Sequence, residues 1–141
     1  MIVQIIHIPK YKWKIRVYYA VTEYWTDEIM DDLRHIGISG EHEKQAYENM
    51  SSGDLNNGIT YSCPKCHRTI VVIAKASSAK EYFNSFLHEL KHVEEQIGEA
   101  CGIDQKSEDA AYLRGYVAGQ MFECMSPLLC ECCRRRHEEE Y

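Results

Sequence analysis

The sequence predicts an α+β fold, a small and mainly antiparallel sheet packed against two long helices, and three observations predict it. Residues 2–8 and 13–21 are rich in Ile, Val, Tyr and Trp, the composition of paired strands. The run Ile70-Val71-Val72-Ile73 has the short, uninterrupted apolar pattern of a buried strand. From Ser78 to Met125 the pattern changes to two helical stretches, with Gly102 between them. A chain of 141 residues fits one domain with a sizeable core. Its parts are N-terminal strands and helices (1–62), a strand and two helices (63–125) and a Cys-rich tail (126–141).

The elements follow in order. Pro9-Lys10 separates the first two strands, which read as a hairpin. Residues 26–36 and 41–50 read as helices: Thr26 or Asp27 caps the first, and Gly37 and Gly40 divide the pair. Gly53, Asn56, Asn57 and Gly58 make 51–58 a loop. After Cys63-Pro64-Lys65-Cys66 comes the buried strand over Arg68–Ala76. Ser78 and Glu81 have capping-box spacing and open a helix to about Ala100. At 100° per residue its core face is Phe83, Phe86, Leu90, Val93 and Ile97, with His88 and His92 on the other side near Asn84, Glu95 and Glu99. Gly102 ends it, Ile103–Lys106 form a turn, and Ser107 caps a helix to about Met125, which Pro127 stops.

Composition excludes several classes. Apolar residues are 45% and charged residues 27%, a globular balance rather than a disordered one. The net charge of -6 argues against a general nucleic-acid binder. Basic runs at Lys10–Arg16 and Arg134–Arg136 are short, and Glu138, Glu139 and Glu140 offset the second, so both read as solvated surface. The apolar start is broken by Pro9 and is too short to span a membrane, and it lacks the charged lead-in and small-residue cleavage site expected of a secretory signal. A cytoplasmic location is expected, where seven cysteines act as thiols or metal ligands.

His88-Glu89-Leu90-Lys91-His92 carries the chemistry. Residues four apart share a helix face, so two imidazoles converge on one ion. Glu89 is turned about 100° from His88 and stands beside the ion, where a carboxylate accepts a proton from activated water. A catalytic zinc needs a third protein ligand. The candidate is Glu108, in the first turn of the next helix, with Asp109 as second choice. Ala111, Gly115 and Gly119 form a small-residue stripe expected to let the two helices approach closely. Favourable placement of an acid at the helix dipole is the alternative reading of Glu108, without a metal.

The motif His88-Glu89-x-x-His92 followed by Glu108-x-x-Ala111 resembles the zincin metallopeptidases over residues 68–122. The resemblance is to the branch with a glutamate third ligand, shared by thermolysin-like enzymes and short IrrE-like intracellular peptidases. It implies zinc held by His88, His92 and Glu108, with Glu89 as general base. It also implies a peptide or protein substrate paired along the Arg68–Ala76 strand. Tyr112, one turn beyond Glu108, is the candidate oxyanion donor, a structural tyrosine being the other reading. A zinc-binding interaction or regulatory module without peptidase activity is the competing expectation, and a regulatory protein partner fits either.

Cys63, Cys66, Cys130, Cys132 and Cys133 offer thiols for a second, structural zinc tying the tail to the loop before the third predicted strand; free thiols or a disulfide-prone tail are the alternatives. His67 or His137 could replace one thiol. Cys101 and Cys124 read as small core residues, and His7, His35 and His42 as surface or satisfied histidines.

Overall fold

The computed structural model of the chain describes residues 1–53 and 58–139. Strands β1 (Ile2–Ile8), β2 (Trp13–Val21), β3 (Gly58–Cys63) and β4 (Arg68–Ala74) form one sheet in the order β1-β2-β4-β3. Helices α1 (Thr26–His35) and α2 (Gly40–Ser51) cover one face. Helices α3 (Ala79–Cys101) and α4 (Glu108–Met125) cover the other, and α5 (Glu131–Glu139) closes the described chain. Among the described residues no helix is long and apolar enough to cross a membrane.

The α+β class stands, but the sheet is mixed. β1–β2 and β3–β4 are antiparallel hairpins, whereas β2 and β4 run parallel, Val17 opposite Val71. The reason lies in a strand that composition alone did not mark. β3, with Gly, Thr and Ser among its six residues, is half-buried throughout. It takes the sheet edge, which leaves β4 in the interior beside β2. Burial on both faces explains the apolar run of β4: Val71 and Ile73 face α3 and α4, while Ile70 and Val72 face α1 and α2. A register shift between Tyr18 and Val21, with Ala20 at φ 56°, lets Tyr19 and Ala20 both join the α3–α4 core.

Ser78 caps α3 by accepting from the Glu81 amide at 3.1 Å, and Gly102 at φ 71° ends it. The Glu81 carboxylate engages Ser77 rather than closing the box onto the cap. The buried arc of α3 is Tyr82, Phe86, Leu90, Val93 and Ile97. Phe83, expected inside, is 46% exposed, because the arc is centred nearer Tyr82.

Helix α4 departs from expectation more sharply. It packs through Ala110, Leu113, Val117 and Met121, while Ala111, Gly115 and Gly119 face solvent, and a methyl added at either glycine would meet nothing within 4 Å. In water, burying Leu, Val and Met outweighs the close approach that small residues allow. The small-residue logic belongs to membranes, where apolar burial provides no drive.

Candidate metal centre

Two acids mark the rims of the buried arc of α3. Glu89 and Glu94 are five residues apart, which places them about 140° apart around the axis. Glu94 faces α4, where Arg114 clamps its carboxylate with two bonds of 2.7 and 2.9 Å. Glu89 faces β3, where it accepts from the Thr60 hydroxyl at 3.4 Å. Beyond Glu89, turning away from the core, come His88 and His92.

The two imidazoles converge. Their rings sit edge to face with centroids 4.9 Å apart, and the Nε2 atoms approach to 3.3 Å. Two nitrogens bonded tetrahedrally to one zinc at about 2.0–2.1 Å must lie about 3.3–3.4 Å apart, so the pair has the spacing a shared ion requires. The ligand atoms of His88, Glu89 and His92 all lie within 4.8 Å of one another. Glu89 is 2% exposed, and its Oε2 has no hydrogen-bond partner among the described residues. Desolvation pushes this carboxyl up to about 7, against the opposing pull of the Thr60 hydroxyl. A buried, unpartnered oxygen beside two convergent imidazoles fits a metal and its water.

A cleft of about 550 Å³ opens over this group. One wall is β3, Gly58 to Tyr61, and the other is the polar face of α2, with His42, Gln45 and Asn49. The Thr60 carbonyl accepts from Gln96 Nε2 at 3.0 Å, one turn beyond His92. Gly58 sits at φ 153°; a Cβ there would collide with the Val72 carbonyl oxygen and crowd Glu89 Cγ at 3.2 Å.

The structure places three expected features away from this site. β4 cannot receive a substrate strand, because β2 and β3 occupy both its edges; the strand beside the cleft is β3. Glu108 is exposed and joins neither the histidine group nor the cleft lining. The Arg114–Glu94 clamp sets the offset: Glu94 lies two residues past His92 and Glu108 six residues before Arg114 on the antiparallel helix, together about 12 Å along the axis. Asp109 pairs with Lys10 at 3.7 Å instead. Tyr112 is 72% exposed and lines a separate groove with Ile8, Pro9 and Tyr11. No local pattern distinguishes β3, His42 or Gln96, since they become relevant only when the sheet edge and α2 are set beside α3.

The cysteines divide into two groups. Cys63 and Cys66 form a disulfide across the β3–β4 turn. Cys130, Cys132 and Cys133 cluster where α5 begins, and Arg134 binds the carbonyls of Ala76 and Ser77 just beyond the far end of β4. The seven residues of β4 hold the groups about 23 Å apart, which rules out one shared four-thiolate site. His67 stacks on Trp13 rather than joining the tail cluster, and the His137 side chain lies outside the described residues. Cys101 and Cys124 pack partly buried against the core.

No known family profile matches the chain, and no curated protein or solved structure matches it.

Proposed function

We propose that the chain is a zinc-dependent peptidase in which His88 and His92 hold the ion and Glu89 is the general base. The observation that carries this reading is the 3.3 Å approach of the two imidazole nitrogens beside Glu89 Oε2, which has no hydrogen-bond partner among the described residues. Zinc, when bound, lowers the pKa of water and polarises the scissile carbonyl. Glu89 takes the proton at Oε2 and returns it to the leaving amine. An extended peptide lies along the outer edge of β3, where the Thr60 carbonyl now satisfied by Gln96 becomes available to a backbone N–H. Glu108 lies outside both the histidine group and the cleft lining; His42 also lies outside that group but lines the cleft from α2, so on this reading it becomes the third ligand by an inward shift of its side chain when the ion binds.

A second reading, a zinc-binding interaction module without peptidase activity, draws support from the same cluster, because Glu89 is itself close enough to both imidazoles to act as third ligand. A carboxylate committed to the ion is not a free base. Glu89→Gln separates the two: as base, its loss abolishes hydrolysis of an unfolded protein substrate while one zinc per chain stays at the histidines; as ligand, its loss releases that zinc. A Gln variant that hydrolyses as well as the parent overturns the peptidase mechanism.

A further inference from the structure

The tail cysteines stand apart from everything the histidine site uses. The ligand sulfurs of Cys130, Cys132 and Cys133 lie within 4.8 Å of one another. Three sulfurs bonded to one ion at about 2.3 Å sit about 3.8–4.0 Å apart, so the cluster needs no more than a small contraction to close on a metal.

The turn that presents them is fixed to the body of the protein. Glu131, between the first two cysteines, accepts from the Ala79 amide at 2.6 Å through one oxygen and from Arg134 at 3.0 Å through the other. Arg134, next to Cys133, is 4% exposed and donates to the Ala76 and Ser77 carbonyls at 2.8 and 3.0 Å. The residues alternating with the thiols thus anchor the turn to the β4–α3 link, and the thiols are left facing outward. Such preorganisation lowers the ordering cost that a thiolate cluster on a loose tail would meet on binding.

We propose that Cys130, Cys132 and Cys133 form a three-thiolate site for a thiophilic d10 metal ion, separate from the histidine centre. No fourth protein donor joins the three sulfurs among the described residues. On this proposal a solvent molecule or an external thiol takes the fourth position on a zinc-class ion. That separates it from a closed structural zinc site, in which the protein supplies all four ligands. Soft thiolates favour zinc-class and cuprous ions over magnesium, calcium or manganese. Binding replaces three S–H bonds by three S–metal bonds and releases up to three protons, with no change of oxidation state.

The test uses the full-length chain with the Cys63–Cys66 disulfide intact and the tail thiols reduced, metal-free under argon and titrated with cadmium as an optical probe. The expected result is thiolate-to-cadmium charge-transfer absorption that saturates at one ion, with three thiols protected from alkylation. Peptide mapping should place the protected thiols at 130, 132 and 133. His88→Ala should leave this signal unchanged, so failure of the histidine site cannot mimic failure of this one. Cys130→Ser and Cys132→Ser, both at exposed positions, should each weaken cadmium binding at least about tenfold while the far-ultraviolet circular dichroism stays as in the parent. Competition with zinc and with cuprous ion then identifies the preferred occupant. If the three cysteines stay fully alkylatable at saturating cadmium, the site does not exist.

Discussion

Replacing Glu89 by Gln should raise the stability of the metal-free protein at neutral pH, the opposite of what removing a useful polar group normally does. The carboxyl is 2% exposed, one of its oxygens has no partner among the described residues, and burial moves its pKa from 4.5 to about 7. At about 1.4 kcal/mol per pH unit, ionising it in the fold costs about 3 kcal/mol more than in the unfolded chain. The sign follows from proton counting. Below about pH 4.5 both states carry the proton and the stabilising contribution is complete. Between about 4.5 and 7 the unfolded chain has lost the proton while the fold retains it, so stability falls as pH rises. Above about 7 the loss is complete. Gln has nearly the same shape and never ionises, so its advantage over the parent should widen by about 3 kcal/mol from about pH 4.5 to pH 8. Urea unfolding followed by circular dichroism, with chelator present throughout, measures this directly. With zinc bound the widening should shrink, because a nearby dication favours the carboxylate. Parallel pH profiles for the two metal-free proteins would refute the reasoning, since Glu89 would then be titrating as a solvated carboxyl.

Other outcomes follow from the same geometry. Glu108→Gln should leave zinc content and hydrolysis unchanged, whereas His42→Ala should lower zinc affinity about tenfold or more, both read by equilibrium dialysis against a zinc buffer. Thr60→Val removes the hydrogen bond that holds the Glu89 carboxyl down, so the acid limb of a pH–rate profile should move to higher pH. Gly58→Ala should cost more than about 1 kcal/mol in urea unfolding, through its positive φ and the collision with Val72, and should reduce hydrolysis by displacing the β3 wall.

Legibility followed the physics of each signal. Helix α3 was readable to within a residue or two because Ser78 and Gly102 cap it and its apolar residues repeat at helical spacing over 23 residues. β4 was readable because burial on both faces demands an unbroken apolar run. β3 was not: an edge strand is only half-buried, and Gly58, Thr60 and Ser62 resemble loop composition. Missing it also misplaced the sheet edge, and with it the strand beside the cleft. The motif at His88, Glu89 and His92 gave spacing, which a helix converts into convergence without further information. The third ligand depends on how a second helix slides along the first, and no local pattern records that offset.

That offset is decided by the Glu94–Arg114 pair. The Glu94 side chain is 1% exposed, so its charge must be met, and Arg114 meets it through a two-pronged clamp. Once those residues are opposite each other, the nine residues of α3 beyond His92 carry the start of α4 past the histidines and leave Glu108 beside the helix end. The same clamp fixes which flank of α3 stays open. With α4 held on the Glu94 side, the Glu89 side faces β3 and the polar wall of α2 among the described residues, and a cleft remains there. A motif of three residues becomes a candidate site here because a fourth, buried acid on the opposite rim has already claimed the neighbouring helix.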